Sequence, residues 1–499
     1  MLLTTLSNQL GWADLVGIFT ALILAYFTSK VVYNLCWHPL AKFPGPKLAA
    51  VSNVSYCYWF LGGRQPFRML ELHNKYGPVV RTAPNELSFN TAKSWKDIYD
   101  FRQGHQTFVK SDFYEGGSFA DQCGSIVSER DVNRHSKMRR DLSHAFSQRS
   151  LTEQEALISG VVDDFITQLG LVGAAGVNIV DWFTMATFDI IGDLAFGETF
   201  SGIKSAQKHP WIARIEGAMM QGALADCFKR FPWLAKMVLA LFPGKIQDII
   251  KDTKINEDYS INLVTKRINK KTDRKDFLTR ILEHQQEAQI SDVQIAAHAS
   301  DLVLAGSETT ATALSCITYH LLHFPHTLQA LQDEIRGSFK SYAEINAAST
   351  APLKYLWAVC QEGMRLYPPL PFALPRVIPR GGDTVDGHFL PQGTVVSTNP
   401  LASCLSASNF EDPLAFKPER WLEKSSEDAL DASQPFSMGT RGCLGRSLGW
   451  MELRTILAKL HFSYDLQLLD KDVDWHRDSK MHTLWQKPAL KIRVLPRSA

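Results

Sequence analysis

Hydrophobic and polar positions alternate in three different ways along this chain. Near the amino terminus, Leu15 to Phe27 (LVGIFTALILAYF) is uncharged, and the apolar character continues through Val31, Val32 and Leu35. A membrane-spanning helix needs about 20 mostly apolar residues, which Gly11 to about Val32 supplies with Asp14 near its edge. Lys30, Lys42, Lys47, Arg64 and Arg68 follow the span and no basic residue precedes it, which places the bulk of the chain in the cytoplasm. A cleaved signal peptide is the competing reading, but the basic n-region and a small-residue cleavage site are missing. The prolines of HPLAKFPGPK (Pro39, Pro44, Pro46) then hold the backbone extended. Residues 1–36 therefore read as an anchor, 37–50 as a stiff Pro-rich hinge and 51–499 as the body.

From about residue 93 to 370 the pattern turns helical. In DVNRHSKMRRDLSHAF, Val132, Met138, Leu142, Ala145 and Phe146 recur at helical spacing, and DWFTMATFDIIGDLAF and PLKYLWAVCQEGMRLY behave alike. Ser291-Asp292 opens a long helix that runs to about His323, where Pro325 stops it. Residues 372–398 bring turn signals and β-branched residues, the texture of short strands, and 405–421 are irregular. Regular strand–helix alternation is absent, so the expectation is a mainly α fold with a small β component behind one amino-terminal transmembrane helix.

Composition adds little to that picture. At 45% hydrophobic and 21% charged residues the chain has material for a large core, and a net charge of +2 gives no reason to expect a nucleic-acid partner. The eight cysteines form no CxxC pair and read as reduced thiols facing the cytosol, which also makes the Asn53-Val54-Ser55 sequon silent.

Cys443 stands apart. It lies in FSMGTRGCLG, among Gly439, Gly442 and Gly445, with Arg441 two residues away and a helical pattern (Leu448, Met451, Leu453, Ile456) starting just after it. A helix N-terminus and a nearby guanidinium favour the thiolate, while the glycines let a flat partner approach; an inert buried cysteine is the alternative for such a loop taken alone. The loop resembles the haem-binding loop of the cytochromes P-450, F-x-x-G-x-R-x-C-x-G, at every specified position. The resemblance implies that Cys443 is the axial iron ligand of haem b, that Phe436 packs near the sulfur, that Gly439 shapes the loop and that Arg441 pairs with a propionate. It adds Arg139 and His135, from HSKMR where the family has W-x-x-x-R, and Arg376 to the haem-binding set. Glu362 and Arg365 of EGMR, at (i, i+3), with Arg420 of PERW, resemble the family's structural triad; an isolated pair would be a weak surface contact. AGSETT, Ala305 to Thr310, is similar to A/G-G-x-D/E-T, which gives Glu308 and Thr309 the acid–alcohol role in proton delivery. Gly306 costs about 1 kcal/mol in a helix interior, so its presence asks for a reason, and a local opening of the helix is the expected one.

The resemblance covers the chain from anchor to carboxyl end and is closest to fungal membrane-bound enzymes of secondary metabolism. It implies an NADPH- and dioxygen-dependent monooxygenase of the endoplasmic reticulum membrane, fed by NADPH–cytochrome P-450 reductase, since no flavin or nicotinamide fingerprint is present. Arg134, Lys137 and Arg140 are candidates for the reductase-facing surface, with ordinary surface charge the alternative. The family's layout lines the pocket with Phe113, Tyr114, Phe119, residues 209–242, Val303, Leu370, Phe372 and Leu374, which suits a lipophilic terpenoid, polyketide or alkaloid intermediate. A thiolate-haem isomerase or dehydratase, or a haem sensor or carrier, would be the rivals; Glu308-Thr309 argues against the first. Cys404 and Leu405 stand where many such enzymes have His-Arg.

Overall fold

The amino-terminal apolar run forms a helix, α1 (Trp12–Val32), in a computed structural model that describes residues 11–117, 119–120, 123–270, 274–283, 285, 289–423 and 426–497. Residues 1–10 of the expected anchor lie outside the described residues. No residue of α1 is buried, and the helical stretch Trp12–Trp37, with mean hydropathy 1.9, is long and apolar enough to cross a membrane. The hinge is less extended than its prolines suggest. Lys47–Val51 is a short helix with Pro46 at its N-cap, and Leu40, Phe43, Ala49 and Ala50 are buried. Buried Arg81 fastens this region to the body, donating its backbone N–H to Pro44 O (2.7 Å) and Nη1 to Asn34 O (2.8 Å).

The body is helical where the pattern predicted it. Its helices include α2 (Val54–Leu61), α3 (Val132–Ser143), α4 (Gln148–Val172), α5 (Ile179–Phe196), α6 (Pro210–Arg230), α7 (Asp292–His323), α8 (Lys354–Leu366) and α9 (Arg446–Ser463). Helix α4 is also long and apolar enough to span a membrane, but Val162, Phe165 and Leu169 are fully enclosed, so it is a core helix. Helix α5 is apolar on nearly every face and buries Phe183, Ile190 and Ile191 against α7, as a central helix must. Ser291 caps α7 through Gln294 N (3.1 Å), and α9 packs on α4 and α7.

The strand-like stretch 372–398 forms strands as expected, but the sheet it joins also takes three strands from residues 79–110 that the pattern did not mark. Five strands, β1 (Val79–Ala83), β2 (Glu86–Phe89), β3 (Val109–Lys110), β4 (Arg376–Val377) and β5 (Val395–Thr398), make a sheet ordered β1-β2-β5-β4-β3. The β2–β5 pair is parallel, and the β3–β4 pair is antiparallel with Lys110 directly opposite Arg376. That juxtaposition of like charges matters below.

One core group predicts a pH dependence. Glu452 of α9 is buried with Oε2 unpartnered, and burial pushes its carboxyl from 4.5 up to about 8, against a stabilising contact from Thr310. The folded chain then keeps a proton that the unfolded chain releases, so stability falls as pH rises through that window and levels off above it. Glu452→Gln should flatten the fall. Denaturant midpoints on both sides of the window check this, and an unchanged slope would count against a neutral buried acid.

Candidate functional site

The loop before α9 is wound tightly on itself. Cys443 N–H donates to Phe436 O (2.8 Å) and Gly442 N–H to Gly439 O (3.0 Å). Gly439 has φ +67°, and a Cβ there would stand 2.2 Å from Tyr99 O, so both backbone conformation and packing require glycine. Phe436 tilts against Trp450 at 5.9 Å between ring centroids. Cys443 lies just before the N-terminus of α9; burial raises its thiol pKa, while the Gly445 N–H, Arg139 and Arg446 act the other way. Its side chain is exposed although surrounded by protein, so the sulfur faces an internal void.

Around that loop the cations converge. Arg139 of α3 donates Nη1 to Gly442 O (2.6 Å), and Arg441 donates to Glu129 O and Arg130 O (both 2.9 Å). Arg376 is buried, bonded to Tyr114 Oη (3.2 Å) and to the carbonyls of Leu374 and Pro375. Lys110 reaches Ile126 O (3.0 Å) and Val127 O (2.6 Å). Burial, with Arg441 and Arg376 adding repulsion, lowers the Lys110 ammonium to about 6. Burial and the surrounding Arg441, Lys110, Arg139 and Arg376 hold His135 neutral, its pKa down to about 3. Burial and then Arg376 bring Arg441 down to about 10. Every bonded partner of these four cations among the described residues is a carbonyl or a hydroxyl, never a carboxylate. Opposite Arg376, Lys110 loses its charge near neutral pH unless an anion joins it, so the cluster fits an anionic ligand beside the Cys443 sulfur. A haem, with two propionates and an iron that takes a thiolate, matches both halves of this donor set.

The expected triad assembles, fully buried. Glu362 takes both Nη2 and Nε of Arg365 (2.8 Å each), Nε of Arg420 (3.1 Å) and Nε1 of Trp421 (2.9 Å). Arg365 also donates to Cys404 O and Pro413 O (2.8 Å each) and to Ala415 O (3.1 Å), and Arg420 bridges to Asp428. The Cys404-Leu405 departure thus leaves a backbone carbonyl in service while both side chains are buried. This network, rather than a surface pair, pins residues 404–421 to α8.

On α7 the expectations are met in part. Ser307 Oγ and Thr309 Oγ1 donate back to Val303 O (2.7 Å) and Ala305 O (2.6 Å), yet the helix is uninterrupted. Gly306 serves packing: a Cβ there would lie 2.9 Å from Ile191 Cδ1 of α5. Ala305 is exposed within this otherwise largely buried stretch of the helix. Glu308 and Thr309 diverge. Glu308 accepts Lys487 Nζ at 2.6 Å, and Lys487 also reaches Thr312 Oγ1 (3.1 Å), with both charged side chains nearly buried.

Among the expected pocket residues, Phe372 stacks on Phe113 (4.5 Å) and Phe60 (5.5 Å), while Tyr114 turns to Arg376 instead. Phe119 and Leu370 are partly buried against the main core, Leu374 against the sheet's core, and Val303 is fully buried. Residues 209–242 divide: Trp211, Ile212 and Cys227 are buried, whereas Trp233, Leu239, Leu241 and Phe242 are exposed. Arg134, Lys137 and Arg140 are exposed on α3. Sequence reading missed Lys110 and Lys487, because nothing within FVKSDF or LWQKPAL marks a lysine that the fold buries among partners outside its own segment.

Comparison with known proteins places these observations. Residues 44–494 match the family model described as Cytochrome P-450. Cytochrome P-450 monooxygenase ORF11 of Penicillium roqueforti (strain FM164) is 55% identical over 460 residues, 92% of this chain and 95% of the relative. Cytochrome P-450 monooxygenase BipB of Cochliobolus sativus is 41% identical over 485 residues, 95% of each chain. Cytochrome P-450 monooxygenase BOT4 of Botryotinia fuckeliana is 40% identical over 497 residues, 98% of this chain and 92% of the relative.

Proposed function

This chain belongs to the cytochrome P-450 family and is a monooxygenase, and on that premise we propose that it oxidises a lipophilic secondary-metabolite intermediate with electrons from NADPH. The observation that carries the reading is the Cys443 sulfur, facing a void at a helix N-terminus beside a cation cluster bonded only to neutral oxygens. Haem b, when bound, supplies dioxygen activation and C–H oxidation. The residues supply the rest. Cys443 is the iron ligand; Arg441, Arg139, Arg376 and Lys110 hold the propionates; His135 stays neutral beside them; Phe436 and Gly439 shape the loop. Glu362, Arg365 and Arg420 keep that loop in place.

Proton handling falls to α7. Thr309 Oγ1 donates to Ala305 O at rest, and rotation of the hydroxyl turns the proton toward the void. Glu308 carries protons only when its contact with Lys487 opens. Thr309→Ala should therefore leave haem binding intact and divert NADPH electrons to hydrogen peroxide, read as product formed per NADPH consumed. Coupling equal to wild type would remove Thr309 from the relay.

The stacked Phe60, Phe113 and Phe372 support an apolar substrate such as a terpenoid, polyketide or alkaloid intermediate. The electron donor is a separate reductase meeting Arg134, Lys137 and Arg140, and α1 anchors the chain in the endoplasmic reticulum membrane with the body in the cytoplasm. Incubating microsomes that carry the full chain with reductase, NADPH and a panel of such intermediates tests this. Product should require both NADPH and dioxygen. Turnover without dioxygen would instead support the isomerase reading.

A further inference from the structure

Helices α2 and α6 cross in a register fixed by two contacts. The Arg230 guanidinium lies 3.5 Å from the Tyr56 ring centroid, and Arg230 Nη1 donates to Asn53 Oδ1 at 3.3 Å. Arg230 is held in turn by Glu86 (2.7 Å) and Asp226 (3.0 Å). Cys57 lies one turn beyond Asn53 on α2, and Cys227 one turn before Arg230 on α6, so the two thiols fall opposite each other. Each thiol is the largest single influence on the titration of the other. Cys57 is partly exposed, whereas Cys227 is buried.

We propose that Cys57 and Cys227 are a peroxide-responsive thiol pair, oxidised to a disulfide that staples α2 to α6. A redox-sensing cysteine is reachable, has thiolate character and sits beside a resolving thiol, and this pair has all three traits. The neighbouring Cys227 thiol, opposed by burial and aided by Arg230, draws the Cys57 thiol below its usual pKa, and Cys57, with burial, raises that of Cys227. Cys57 is therefore the attacking sulfur. Its thiolate takes one oxygen of hydrogen peroxide, giving a sulfenic acid and hydroxide, which the released thiol proton converts to water. The Cys227 sulfur then attacks the Cys57 sulfur, its proton leaves with the sulfenic hydroxyl as a second water, and the S–S bond forms. Two thiols are oxidised and one peroxide is reduced. The staple would fix a helix that borders the aromatic stack, because Lys229 of α6 donates to Asp112 O (2.8 Å), next to Phe113.

The test uses the purified, haem-loaded full chain, reduced, freed of reductant and exposed to a few equivalents of hydrogen peroxide. After free thiols are blocked, peptide mapping without reductant should find the Cys57 and Cys227 peptides joined with loss of two hydrogens, a link that dithiothreitol reverses. In Cys227→Ser the resolving thiol is gone, so dimedone should capture Cys57 as a sulfenic acid; in Cys57→Ser it should capture nothing at Cys227. Oxidation of other thiols with no Cys57–Cys227 link would overturn the proposal. So would dimedone capture at Cys227 rather than Cys57.

Discussion

Glu362→Ala is expected to cost roughly 3–5 kcal/mol of stability, the range for removing one partner of a buried ion pair. The reason lies in what remains. Arg365 and Arg420 are enclosed, and Glu362 is the carboxylate that takes two donors from Arg365 and one from Arg420. Without it, two guanidinium groups stay buried with their charge only partly balanced, by Asp428 on Arg420. The loss consumes much of the 5–15 kcal/mol that holds a typical domain together. On the proposed role of this network in holding the cysteine loop, haem content should fall with stability. Urea midpoints and haem absorbance per chain check both. A variant of near wild-type stability would show that the network is a bystander.

Cys443→Ser is the second large effect, and it separates ligand loss from fold loss. The side chain faces a void and forms no part of the packed core, so removing the sulfur leaves packing untouched. A serine hydroxyl does not ionise in this range and is a poor iron ligand. Haem content should drop by at least about tenfold, the scale on which even outer partners of a metal ligand act. Circular dichroism should report unchanged helix content. Retained haem at wild-type occupancy would move the ligand elsewhere.

How much of this was legible in the sequence depends on how far apart the cooperating residues lie. The Cys443 loop is contiguous, so its glycines, arginine and thiol could be read together, and Gly439 proved to need its left-handed backbone. The amino-terminal apolar helix and the long α7 helix were equally plain, because apolar patterning is local. The triad was found as a motif, but its burial was not: an (i, i+3) pair looks the same on a surface and in a core. Gly306 was read as a site for opening the helix and turned out to be a contact point for Ile191, a residue of another helix. The acid–alcohol pair of α7 reads as one unit in sequence, yet adjacent helix positions point about 100° apart, and Lys487 claims Glu308 from the far end of the chain. Lys110 and Arg376 become neighbours only through strand pairing across 266 residues, which no local pattern encodes.

The central claim is that Cys443 delivers a thiolate to haem iron. The most direct measurement is the absorption spectrum of the reduced full-length protein under carbon monoxide. The structure predicts the red-shifted Soret band of thiolate-ligated haem. A Soret band at the position given by histidine-ligated haem, or no haem bound at all, would contradict it.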